Sequence, residues 1–220
     1  MGERADTART RSHPAANPAG GEERAETSAP RPPSPQVTDA ALNALGGRPL
    51  VLVGLMGVGK TTVGRQLAQQ LGLSFVDADE EIERVSRMSV AELFEQFGEP
   101  EFRALERRVI ERLLREGGAM VLATGGGAFM NDETRAALLE GATTVWLRAT
   151  LDVLVARTAR RSHRPLLRTG NPREILARLI EERHPTYASA HLTIDSTGEP
   201  REHVASRVVH AIAERAGRNA

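Results

Sequence analysis

From Pro49 onward, apolar and polar positions alternate with two distinct periods. Short apolar runs of strand length read at 50–54, 73–77, 119–123, 143–147 and 191–195. Each is followed by stretches in which apolar residues recur every three to four positions, near 60–71, 78–86, 90–97, 100–116, 132–140, 150–160, 172–184 and 200–216. Apolar strands spaced by amphipathic helices predict an α/β fold, a parallel sheet wrapped by helices. The helix at 60–71 carries Val63, Leu67, Ala68 and Leu71 on one face. Two helix starts are written in side-chain chemistry. Ser89-Val90-Ala91-Glu92 reads as a capping box, and Asn171-Pro172-Arg173-Glu174 as a cap, a first-position proline and an N-terminal acid.

The first 40 residues do not share this pattern. Six of the twelve prolines lie within the first 35 positions, among Ala, Thr, Ser, Arg and Glu. Such a stretch buries too little apolar surface to offset its ordering entropy. It is expected to be a disordered extension over residues 1–45, with a short helix at 38–46 leading into a domain over 46–220. It lacks the apolar segment of a secretory signal, and its acids argue against an organellar transit peptide. Composition narrows the function classes further. Net charge is zero and Cys is absent, so no global field favours nucleic acid or an anionic membrane, and thiol or Cys-zinc chemistry is excluded. No apolar run approaches the roughly 18–20 residues of a membrane span. A soluble, reducing, cytoplasmic setting is the expectation.

The chemistry starts where the first strand stops. Leu50-Val51-Leu52-Val53 runs into Gly54-Leu55-Met56-Gly57-Val58-Gly59-Lys60-Thr61, which fits the phosphate-loop pattern G-x-x-x-x-G-K-[ST]. Glycines let successive N–H groups close around an anion, and the helix that follows adds unpaired N–H groups and its positive dipole end. Lys60 offers a point charge for the outer phosphates, and Thr61 a hydroxyl for Mg²⁺. The chain has 28 arginines and a single lysine, Lys60. Arg is used wherever a generic cation serves, and Lys is kept for the one tight loop where a planar fork does not fit.

Ligands of open parallel sheets sit beyond the carboxyl ends of the strands, so those ends mark the other candidates. The second strand ends in Asp77-Ala78-Asp79, two acids on one side of extended chain. Between them they can cap the next helix, support a metal through water and accept a hydroxyl proton. The third strand runs into Gly125-Gly126-Gly127, which points to close approach of backbone and ligand. Arg103 lies on the helix between these strands. Arg157 precedes the basic stretch Arg160-Arg161-Ser162-His163-Arg164-Pro165-Leu166-Leu167, which has the makings of a lid over about 158–171. His163, His184 and His191 have no partner at ligand spacing and read as non-catalytic.

The phosphate loop, Asp-Ala-Asp, Phe-Arg, Gly-Gly-Gly, Arg-Pro-Leu-Leu and Arg-x-Pro-x-Tyr occur here in an order and spacing that closely resembles the shikimate kinase family, across about residues 48–216. The resemblance implies a P-loop three-layer sandwich of the nucleoside-monophosphate-kinase type, with a five-stranded parallel sheet and a mobile lid. It implies ATP-dependent phosphorylation of the shikimate 3-hydroxyl by a monomer, with ATP and Mg²⁺ as co-substrate and metal. Carried onto this chain, Gly57, Val58, Gly59, Lys60, Thr61 and Thr62 would hold the ATP phosphates, and Thr61 with Asp77 the metal. Asp79 would accept the substrate hydroxyl. Arg103 and Arg183 would grip the carboxylate, with Gly125, Gly126 and Gly127 as backbone contacts. Lys60 and Arg164 would act on the transferred phosphate, and Arg157 and Pro200 would sandwich adenine. The loop Ser196-Thr197-Gly198-Glu199 departs from the family's pattern. Two other readings remain: a gluconate kinase of the same architecture, and a nucleotide-binding module without catalysis. Intact Lys60, Asp77, Asp79 and Arg164 disfavour the latter.

Overall fold

Five short strands, β1 (Leu50–Val53), β2 (Ser74–Asp77), β3 (Met120–Ala123), β4 (Thr143–Arg148) and β5 (Leu192–Asp195), form one sheet in the computed structural model, which describes residues 32–159 and 171–219. All neighbours are parallel, in the order β2-β3-β1-β4-β5. The central strands β1 and β3 are buried at every position, whereas the edge strands β2 and β5 are only partly covered. That burial is why the central strands are apolar throughout instead of alternating.

The connections decide the layers. The chain steps outward once, from β1 to β2 through α2 (Lys60–Leu71). Every later step runs the other way, through α3 (Ala78–Ser86) and α4 (Val90–Glu116), then α5 (Asp132–Gly141), then α6 (Leu151–Thr158) and α7 (Pro172–Tyr187). Right-handed crossovers therefore put α2 on one face and α4, α5 and α7 on the other. The last helix, α8 (Arg201–Asn219), returns to pack against α2. The expected parallel sheet between helix layers is what the chain forms.

Three local differences from the sequence reading have physical causes. Helix α1 spans Pro35–Leu45, where a short helix was expected at 38–46; it starts three residues earlier and packs as part of the domain, not of the extension. Ser34 caps it, Pro35 opens it and Gly46 closes it in a left-handed conformation. Ala41 and Leu45 are fully buried against α8, so a tertiary contact stabilises what local composition does not. Helices expected at 90–97 and 100–116 are continuous except at Gly98, whose φ of 78° and ψ of 172° break the turn just before Pro100. A 3₁₀ turn at Ala128–Met130 had no periodic signal. Beneath α3 and α4, Ile82, Leu93, Phe102 and Val109 make a small core of their own. It anchors the helices that carry Asp79, Arg103 and Glu106.

Candidate active site

Strand register brings the sequence-predicted residues together. Leu52 pairs with Ala123, and Asp77 pairs with Ala123 on its other side. Two residues further on, Gly54, Asp79 and Gly125 leave three adjacent strands at one level. This is the point where strand order reverses, and a ligand crevice opens there.

On one side of it, Gly57 and Gly59 take φ of 82° and 103°, angles that a side chain resists. Helix α2 starts directly after Gly59 and has no side-chain cap. Its first N–H groups are left for an anion, with the dipole behind them. Lys60 Nζ lies over its own loop, donating to Gly54 O at 2.7 Å and Leu55 O at 3.1 Å. Thr61 Oγ1 donates to Asp77 Oδ2 at 2.8 Å, and Asp77 Oδ1 accepts the Asp79 N–H at 3.1 Å. Asp77 thus both caps α3 and faces the phosphate loop. A hydroxyl and a carboxylate at that spacing are hard oxygen donors, a set that fits Mg²⁺ completed by water and phosphate.

On the other side is the triglycine turn. A methyl group on Gly125 would lie 2.7 Å from Glu106 Oε1 and 2.9 Å from Asp79 Oδ1. One on Gly127 would collide with the Arg103 guanidinium. None of the three glycines has a left-handed φ, so they are glycine for room, not for conformation. Arg103 Nη1 donates to Glu106 Oε2 at 2.6 Å, and its cation lies over the Phe94 and Phe102 rings. Arg183 Nη1 donates to Gly126 O at 3.1 Å. Burial raises the pKa of Asp79, and the nearby Asp77 adds to the rise, while Lys60 and Arg103 pull it back. Burial likewise raises that of Glu106 against the opposing Arg103 charge. Glu106 Oε1 has no hydrogen-bond partner among the described residues. An acidic, cation-flanked hollow of this kind suits a small anionic, hydroxylated ligand.

A cleft of about 380 Å³ joins the two sides, lined by the phosphate loop, Asp77, Asp79, Gly125 and Gly126. It continues past Arg157 to Ser196, Glu199 and Arg201. Arg157 Nη1 donates to Val58 O at 2.8 Å and Ser196 Oγ at 3.1 Å. Pro200 does not line this cleft. It is exposed ahead of α8, where its carbonyl accepts from His203 and Val204, and its neighbours Glu199 and Arg201 form the wall. Arg164 and nearly all of the expected lid fall in 160–170, outside the described residues; Thr158 is a buried part of α6. His184 packs edge-on to Trp146, and His191 Nδ1 accepts from Thr144 N–H, both structural roles. Glu106 was given no role from sequence, and Tyr187 entered only as the last residue of the Arg-x-Pro-x-Tyr motif, also without a role. The signals were their spacings, three residues after Arg103 and four after Arg183.

Sheet order, phosphate loop and acceptor hollow together define a P-loop phosphotransferase for small molecules. The shikimate kinase family model matches residues 56–213. The chain belongs to the shikimate kinase family. It is 54% identical over 176 residues to the shikimate kinase of Brucella canis, covering 80% of this chain and 88% of that one. It is 51% identical over 178 residues to that of Mesorhizobium japonicum, covering 81% and 87%. Among solved structures, the shikimate kinase of Acinetobacter baumannii in complex with shikimate superposes with a TM-score of 0.75 at 37% identity, over 80% of this chain and 98% of that one.

Proposed function

We propose that this chain transfers the γ-phosphoryl group of ATP to the 3-hydroxyl of shikimate, giving shikimate 3-phosphate and ADP on the route to chorismate and the aromatic amino acids. The observation that carries the reading is the convergence of Asp79, Arg103 and Arg183 on one triglycine turn that opens onto the Lys60 cleft.

Gly57, Val58, Gly59, Lys60, Thr61 and Thr62 are assigned to the ATP phosphates. Phosphoryl transfer asks mainly for positioning and charge compensation. Lys60 and the helix N-terminus supply positive charge at the outer phosphates, and Arg164 is assigned to the same task from the lid. Thr61 and Asp77 would hold Mg²⁺, which when bound would supply further charge neutralisation at the transferring phosphate. Arg103 and Arg183 hold the shikimate carboxylate, with Gly125, Gly126 and Gly127 as the backbone floor. That grip sets Asp79 against the hydroxyl, where its carboxylate orients the alcohol oxygen and takes its proton. The exposed partner of Arg103, Glu99, contributes little to holding it, whereas buried Glu106 fixes it. Arg157 and the wall at Glu199 and Arg201, which stand where Pro200 was expected, are assigned to the base.

The same reading takes the protein as a cytoplasmic monomer without nucleic-acid or membrane partners, which light scattering checks for assembly. A coupled ADP-release assay offering shikimate, gluconate and nucleoside monophosphates tests the function. Turnover with shikimate alone is expected. Turnover with gluconate, or tight ATP binding without turnover on any acceptor, overturns it.

A further inference from the structure

Among the described residues, the Gly126 carbonyl takes hydrogen bonds from two side chains. Tyr187 Oη donates to it at 2.5 Å and Arg183 Nη1 at 3.1 Å. The two donors stand four residues apart on α7 and so share a helix face. Tyr187 is fully buried, its ring stacked with Phe129 at 6.2 Å and with Trp146 at 5.9 Å. That stack joins β4 to the 3₁₀ turn and leaves the phenol little freedom to point elsewhere. Burial pushes the Tyr187 pKa up to about 12, against the opposing Arg183 charge, so at neutral pH the group is a neutral donor.

We infer that Tyr187 is a positioning residue whose hydroxyl satisfies the Gly126 carbonyl so that Arg183 can turn its guanidinium to the acceptor substrate. An arginine gripping a carboxylate is strongest when two N–H groups lie parallel to the two oxygens. Arg183 is instead drawn toward a backbone oxygen, by the longer of the two bonds. Because the phenol holds that oxygen at the shorter distance, Arg183 can leave it without stranding a half-buried acceptor. With the phenol gone, Arg183 is the carbonyl's remaining side-chain partner. Each binding event must then orphan the carbonyl or leave the carboxylate half-gripped. An acceptor left unpaired where water reaches it only in part is penalised relative to a satisfied one.

This inference rests on the reading of Arg183 as a grip on the shikimate carboxylate, and a double-mutant cycle keeps the two separable. Tyr187→Phe retains the ring and the stack. It is expected to raise the KM and the calorimetric Kd for shikimate about three- to tenfold, in line with one unmet, half-buried hydrogen bond. The kcat and the KM for ATP should stay within about twofold, since the nucleotide side is untouched. In an Arg183→Ala background the same Tyr187→Phe change should have almost no further effect on shikimate affinity. A general packing role would instead lower Tm, reduce kcat and add independently in the double mutant, and that result overturns the inference. So does an unchanged shikimate KM in Tyr187→Phe when Arg183→Ala raises it. An Arg183→Ala variant with unchanged shikimate KM overturns the underlying reading, and the role of Tyr187 falls with it.

Discussion

Gly125→Ala isolates the geometry on which the mechanism depends. The added methyl would meet Glu106 Oε1 at 2.7 Å and Asp79 Oδ1 at 2.9 Å. Both distances fall roughly half an ångström or more short of ordinary carbon–oxygen contact. The backbone itself need not complain, because Gly125 lacks a left-handed φ, and the entropy change favours alanine by about 0.4–1 kcal/mol. The obstructing atoms are the ends of two side chains, so the strain is relieved by pushing the carboxylates aside. A misplacement of about 1 Å can reduce rate about 100-fold. Half of that, applied to the group that orients the alcohol, predicts a fall in kcat of about 10- to 100-fold, or about 1.4–2.7 kcal/mol of barrier. Steady-state kinetics with shikimate and a parallel Tm measurement separate this from unfolding, since stability should change by no more than about 1 kcal/mol. A folded Gly125→Ala enzyme with kcat within twofold of the parent would refute the placement of Asp79 and Glu106 against this turn.

Lys60→Ala and Arg164→Ala should each lower kcat by about 10²–10³-fold or more, as loss of charge aimed at a transferring phosphate does; unchanged turnover in the second removes Arg164 from the mechanism. Asp79→Asn should abolish turnover yet raise Tm at neutral pH. Because burial raises the carboxyl's pKa in the folded chain, the fold binds that proton more tightly than the unfolded chain does. The ionised group therefore subtracts from stability above its folded pKa, and the deficit disappears below its unfolded value. Thermal scans should show the advantage of Asp79→Asn shrinking as pH falls toward about 3.5, and an advantage absent at every pH contradicts the assigned burial. Leu45→Ala, at a position 1% exposed, should lose about 2–5 kcal/mol in urea denaturation; a loss under about 1 kcal/mol would mean α1 is not part of the core.

Local chemistry was enough to read the strands, most helices and the phosphate loop. Their causes lie within a few residues: apolar period, Ser89 and Asn171 caps, and glycines at 57 and 59 that only a tight turn requires. Asp77, Asp79 and the triglycine were legible as strand ends, since ligands gather there in any open parallel sheet. What remained hidden depends on residues far apart in the chain. The short helix at 38–46 was expected, but not its packing: Ala41 and Leu45 of α1 meet α8, and no window of sequence around it contains that partner. Glu106 looks like any helix-surface acid until folding buries it between Arg103 and Gly125. Pro200 and Arg201 are adjacent in sequence, yet the entry angle of α8 sends only the latter into the cleft wall. The residue types at the site were set by local rules; which of them share a cavity was decided by strand register and helix packing, because burial and electrostatic coupling act across space and not along the chain.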